Sequence, residues 1–169
     1  MAAKPITGIV VVSDRCSRGR ETDLTGPRLF AGLSDAGTDP QPPEVVPDDA
    51  SRITEAIARL VASEARVVLV AGGTGISPQD ETADAIAPLI TTPLPGLTQA
   101  LFAASLKQTP YAALSRAEAG LTADRVLLVS LAGSPNAADT TIEVLSPLLR
   151  HVLEQLTREP EDGAGYVEH

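Results

Sequence analysis

The chain has 169 residues, enough for one domain with a sizeable core, and 43% of them are hydrophobic, which excludes a disordered chain. Aromatic residues make up only 2% and tryptophan is absent, so the core must be built from Ala, Val, Leu and Ile, which also argues against a base-stacking platform for single-stranded nucleic acid. A formal net charge of -9 repels nucleic-acid backbones and anionic membrane surfaces; any anionic ligand must be met by backbone amides, a helix end, a local arginine or a divalent cation.

Met1-Ala-Ala-Lys-Pro runs into a strand without a basic-then-apolar leader, and no long apolar span follows, so a soluble, cytoplasmic protein is expected. Residues 6–13 (ITGIVVVS) read as a first buried strand ending in Ser13-Asp14. The one cysteine, Cys16, excludes an internal disulfide, and a Cys–His nucleophile is disfavoured because only His151 and His169 are available as its base. Residues 16–24 read as a loop. Thr25 then caps a helix with Pro27 in its first turn and Gly37 as its stop. A short strand over 44–46 ends at Pro47-Asp48-Asp49, and Asp49 or Ser51 caps a helix with Ile53, Ile57, Leu60 and Val61 on its apolar face.

Val67-Val68-Leu69-Val70-Ala71 is the pattern of a strand buried on both faces, and it breaks into Gly72-Gly73-Thr74-Gly75 with Ser77 and Asp80 beyond. Such a turn either cradles a phosphate on bare amides or is an ordinary strand-to-helix turn. Residues 82–90 read as helical, Pro93-Leu94-Pro95-Gly96 as a break, and 97–106 as a helix. Short extended pieces are expected at 113–115 and 120–122 around Ser115-Arg116, a buried strand over 126–131, and the turn Gly133-Ser134-Pro135. A last helix covers 137–156, with Ile142, Leu145, Leu149, Val152, Leu153 and Leu156 inward. One domain over 1–157 and a flexible acidic tail over 158–169 complete the division.

Alternating strands and helices predict a three-layer α/β/α fold with a mostly parallel central sheet. Its ligand edge carries Ser13-Asp14, Asp48-Asp49, the glycine turn with Asp80, and Gly133-Ser134. The turn matches neither the phosphate-loop lysine motif nor the dinucleotide fingerprint. A phospho-acceptor receiver is also disfavoured, because the third strand ends in Ala71-Gly72-Gly73 rather than an aspartate. Asp48 and Asp80, read as standing at adjacent strand ends, suit Mg²⁺ held by one or two carboxylate oxygens plus waters and substrate phosphates; the alternative is a turn residue and a helix-end charge. Arg116 is either a phosphate grip or a salt bridge.

Val11-Val12-Ser13-Asp14-Arg15, Pro47-Asp48-Asp49, Gly72 to Gly75, Asp80, Thr82-Ala83-Asp84-Ala85, Pro95-Gly96, Leu114-Ser115-Arg116 with Ala119-Gly120, and Gly133-Ser134-Pro135 together resemble the Mog/MoaB-type molybdenum cofactor proteins, the molybdopterin adenylyltransferases. The resemblance covers residues 6–156. It implies a Mog/MoaB-like homotrimer that binds ATP and molybdopterin, transfers AMP to the terminal phosphate of molybdopterin with Mg²⁺, and releases pyrophosphate; other molybdenum cofactor enzymes are implied partners. Asp48 and Asp80 match the essential, metal-positioning carboxylates. Ser13, Asp14, Gly72, Gly73, Thr74, Gly75, Ser77, Asp84, Ser115, Arg116, Gly133 and Ser134 match nucleotide- or molybdopterin-binding positions. The chain departs from the family pattern at Ala83, Pro93, Gln99, Phe102 and Ala132. These departures keep open a non-catalytic molybdopterin-binding paralogue or a trimeric scaffold domain.

Overall fold

The structure, a computed structural model, describes residues 3–157. Seven strands form one sheet: β1 (Ile6–Val12), β2 (Asp39–Pro40), β3 (Glu44–Val46), β4 (Val67–Ala71), β5 (Ile90–Pro93), β6 (Ala119–Thr122) and β7 (Leu127–Leu131), in the spatial order β2-β1-β4-β7-β6-β5. β3 continues the β2 edge, pairing Val10 to Val12 of β1 while β2 pairs Ile6 and Thr7. β1 to β4 and β7 run parallel; β6 runs antiparallel to both of its neighbours, β7 and β5. Among the described residues six α-helices accompany the sheet: α1 (Asp14–Ser17), α2 (Gly26–Asp35), α3 (Ala50–Ala62), α4 (Thr82–Ile86), α5 (Pro95–Gln108) and α6 (Pro135–Thr157).

Successive strand side chains point to opposite faces, and the central strands β1, β4 and β7 are almost wholly buried and mostly apolar, Thr7 and Ser130 being their polar residues, so each face builds its own core. Ile9, Val11, Leu69, Leu127 and Val129 pack against Leu29 and Leu33 of α2 and Leu145, Leu149 and Leu153 of α6. Val10, Val12, Val68, Val70 and Leu128 pack against Ile53, Ile57 and Leu60 of α3 and Ile86 of α4. The expected three-layer, mostly parallel architecture is observed. No described helix is long and apolar enough to cross a membrane. The expected acidic tail, 158–169, lies outside the described residues.

Several local expectations are corrected. The segment after Ser13 is not all loop, because Ser13 Oγ accepts from the Cys16 amide and starts α1. Thr25 stands before α2 but makes no cap; Asp23 Oδ1 accepts from the Thr25 and Gly26 amides instead. Residues 82–90 are not one helix: α4 ends at Ile86, a 3₁₀ turn with Pro88 follows, and Ile90 opens β5. Residues 113 and 114 close a second 3₁₀ turn, Pro110–Leu114. β3 and β4 are not adjacent, since β1 lies between them. That places the C-terminal ends of β3, β1 and β4 side by side where the strand order reverses, the position where open α/β sheets bind ligands.

Candidate active site

The site begins where β4 stops. Gly72 has φ +106° and a Cβ there would overlap the Val12 carbonyl oxygen; its amide donates to Leu131 O at 2.9 Å. Gly73 has φ +64°, and a Cβ would collide with Thr82 Oγ1 and sit 2.8 Å from both carboxylate oxygens of Asp48. A Cβ on Gly75 would lie 2.7 Å from Asp80 Oδ2. These glycines exist because a carbonyl, a hydroxyl and two carboxylates close over their bare α-carbons. Gly72 spends its amide on the sheet, whereas among the described residues the amides of Gly73, Thr74 and Gly75 donate no hydrogen bond. Those three remain able to meet an anion.

Asp48 comes from the turn after β3. Its Oδ1 accepts from the Glu81 amide at 2.9 Å, and its own amide donates to Asp14 Oδ1 at 3.3 Å. Burial raises the Asp48 carboxyl above its ordinary value; the Glu81 amide opposes this, and the charges of Asp80, Asp14 and Glu81 add to it. Asp80 Oδ2 accepts from the Ser77 amide while the Asp80 amide donates to Ser77 O, both at 2.9 Å, which closes a tight turn. Beside these carboxylates, Thr82 is fully buried and its Oγ1 is, among the described residues, the one buried side-chain oxygen without a hydrogen-bond partner. Leaving a buried hydroxyl unpaired costs about 1–3 kcal/mol, so such a group marks a place completed by something further.

Arg116 does not reach into open space. Nε donates to Gly75 O at 2.8 Å, Nη2 to Asp80 O at 2.7 Å, and Nη1 to both carboxylate oxygens of Asp84 at 3.0–3.1 Å; its amide donates to Thr74 O at 2.7 Å. The Arg116–Asp84 pair thus laces the glycine turn to the start of β6, and both residues act on the shape of residues 74–84. Arg116→Ala should therefore loosen this segment, read as faster hydrogen exchange of the bonded amides of Ser77, Asp80 and Glu81 with exchange in β4 unchanged. Unaltered exchange there would contradict the lacing role.

Ser13 caps α1, Asp14 holds the Asp48 turn, and Ser77 closes the Asp80 turn, so all three support the site through its backbone. Gly73, Thr74, Gly75, Asp80, Ser115, Gly133 and Ser134 instead line a cleft of about 560 Å³. Ser134 Oγ accepts from the Ala137 amide at the start of α6, and Gly133 O accepts from Thr25 Oγ1 at 2.8 Å. A second hollow of about 390 Å³ lies beyond Asp80, between Ser77, Asp84 and Arg116, so Asp80 forms the wall between the two. The far wall of the large cleft is α5 and the turn after it, with Gln99, Phe102, Ser105, Gln108 and Tyr111. Sequence reading missed most of this wall, which α5 presents because it packs on the core only through the partly buried Leu97 and Leu101. Glu81 and Thr82 were also missed as site residues.

Among the described residues, the carboxylates lining the large cleft are Asp80 and Glu118, and no Lys or Arg lines it. Among the described residues no group of three or more His, Cys, Asp or Glu side chains is arranged to hold a metal by itself. Residues 8–151 match a family model described as "Probable molybdopterin binding domain". The chain belongs to the molybdopterin-binding domain family. It is 35% identical over 152 residues to a molybdenum cofactor biosynthesis bifunctional protein of Chlorobaculum tepidum, covering 90% of this chain and 48% of that one. It is 34% identical over 151 residues to a molybdopterin adenylyltransferase of Pyrococcus furiosus, covering 87% of this chain and 88% of that one. The structure of a molybdopterin biosynthesis protein from Mycobacterium abscessus superimposes with a TM-score of 0.85 at 32% identity, covering 90% of this chain and 96% of the other. Several curated relatives are longer, and the chain spans about half of their length or less. The family match extends over every candidate residue from Ser13 to Ser134.

Proposed function

We propose that this chain transfers AMP from ATP to the terminal phosphate of molybdopterin with Mg²⁺. The observation that carries this reading is the glycine turn itself: Gly73 lies against the Asp48 carboxylate and Gly75 against that of Asp80, its three amides are free, and Asp80 lines a cleft that, among the described residues, no Lys or Arg lines. The homotrimer implied by the resemblance belongs to the same proposal.

The residues present fit a hydrated divalent cation. Asp48 and the unpaired Thr82 hydroxyl both lie against the α-carbon of Gly73, and a pair of carboxylates suits Mg²⁺, which keeps waters and takes its remaining oxygens from substrate phosphates. When bound, Mg²⁺ supplies charge neutralisation on the polyphosphate. Asp48 and Asp80 would hold it. The amides of Gly73, Thr74 and Gly75 orient phosphate oxygens at the wall of the cleft. A terminal phosphate oxygen of molybdopterin attacks the α-phosphorus of ATP, forming one P–O bond as the bond to pyrophosphate breaks. The task of the protein is alignment.

Asp80→Asn tests the metal role, because asparagine keeps an oxygen for the Ser77 amide and loses only the charge. Its turnover should fall on the order of 10²-fold or more with the fold intact by circular dichroism. Near-full activity would remove Asp80 from this role. Binding of molybdopterin by wild-type protein without any product would favour the paralogue reading, for which Phe102 on the cleft wall is the relevant departure.

A further inference from the structure

Asp48 and Asp80 stand on segments far apart in the chain, so their relative position depends on what ties residues 47–50 to residues 80–82. One residue does this twice. The Glu81 amide donates to Asp48 Oδ1 at 2.9 Å, and Glu81 Oε2 accepts from the Ala50 amide at 2.7 Å. Ala50 is the first residue of α3, two positions after Asp48. The two bonds close a ring that runs from the Asp48 side chain through the main chain and side chain of Glu81 and back to the segment bearing Asp48. Sliding one segment past the other breaks at least one bond.

Other bonds nearby do less. Asp49 Oδ1 accepts from the Arg52 amide within the first turn of α3, and Ser77 and Asp80 close only their own turn. Arg116 grips the Asp80 carbonyl from the β6 side, and none of its hydrogen bonds goes to Asp48. Electrostatics makes the placement of Glu81 informative, since its charge adds to those of Asp14 and Asp80 around Asp48. A carboxylate serving only solubility has no reason to sit there. The positive end of the 13-residue α3 offsets part of that cost.

We infer that Glu81 is a positioning residue: it fixes the Asp48 carboxylate relative to Asp80 by bonding Asp48 through its main chain and the α3 N-terminus through its side chain. This rests on the proposed AMP transfer for its kinetic consequence, but the latch itself has a readout that needs no turnover.

The test compares wild type, Glu81→Ala, Glu81→Gln and Asp49→Ala. Glutamine keeps the acceptor for the Ala50 amide; Asp49→Ala weakens the same helix end without removing either latch bond. In Glu81→Ala, kcat should fall about tenfold while KM for ATP stays within about twofold, and Glu81→Gln should recover most of the loss. Asp49→Ala should keep kcat within about twofold of wild type. By NMR, the residue-81 amide should be protected from exchange in wild type and Glu81→Gln and exchange at least about tenfold faster in Glu81→Ala, but not in Asp49→Ala. Equal exchange of this amide in all four proteins, or a glutamine variant no better than alanine, would overturn the latch. Wild-type protein that yields no product would instead overturn the transferase reading, and the amide exchange would still decide the latch.

Discussion

Asp48→Asn is expected to abolish turnover and, in the same protein, to stabilise the fold. Asparagine still offers Oδ1 to the Glu81 amide, so the turn after β3 keeps its shape. What disappears is a half-buried negative charge whose carboxyl is pushed up by burial and by Asp80, Asp14 and Glu81. A carboxyl raised above its ordinary value in the folded state favours the protonated form there. The penalty on the wild-type fold is thus absent in strong acid, grows as pH rises from the ordinary carboxylate value through the raised one, and is complete above it. The stabilisation by Asp48→Asn should accordingly be present at neutral pH and vanish as pH falls through that window. Thermal melts of both proteins across pH 3 to 8, roughly the range where carboxyls finish titrating, check this. Turnover should fall about 10²-fold or more. A variant that loses activity and also stability at neutral pH would mean that Asp48 is a structural residue.

Gly73→Ala is expected to cost both stability and activity. Its φ of +64° costs a side-chain-bearing residue about 1–3 kcal/mol, and the added methyl would press on Thr82 Oγ1 and both oxygens of Asp48. Relief requires moving the carboxylate that the site needs. For a chain of this size each kcal/mol shifts the midpoint by roughly 2–4 °C, so a fall of several degrees is expected together with loss of turnover. Gly96→Ala is the contrast: no atom lies within 4 Å of its Cβ position, and it sits inside α5 without a positive φ. It should be neutral or stabilising by about 0.5–1 kcal/mol. Differential scanning calorimetry of the two variants reads both signs. A Gly73→Ala protein with wild-type midpoint would mean that the turn is not held as described.

The features that could be read from the sequence are those that local chemistry dictates. Val67 to Ala71 is apolar at every position, which only a two-sided core explains, and the glycines that follow need conformations that other residues resist. That Asp48 and Asp80 both flank the glycine turn followed from parallel strands ending on one edge, although β1 separates β3 from β4. β5 was illegible because it is a four-residue edge strand with a bulge and a terminal proline, and its pairing with β6 supplies what its own pattern lacks. Arg116 was visible as a cation, but whether its donors face a ligand or a loop depends on the folding of residues 74–84 around it. Glu81 and Thr82 are ordinary residues in an ordinary helix start. Their importance is created by Asp48, more than thirty positions earlier, and no local pattern carries it.

The most direct test of AMP transfer follows the phosphorus atoms. Purified protein is incubated with molybdopterin, Mg²⁺ and ATP carrying label on either the α- or the γ-phosphate, and the pterin and pyrophosphate fractions are separated. The α-label should appear in the pterin product and the γ-label in pyrophosphate, with neither released when Asp48→Asn replaces the wild type. Label from the γ-phosphate in the pterin, or bound pterin with no label at all, would contradict the assignment.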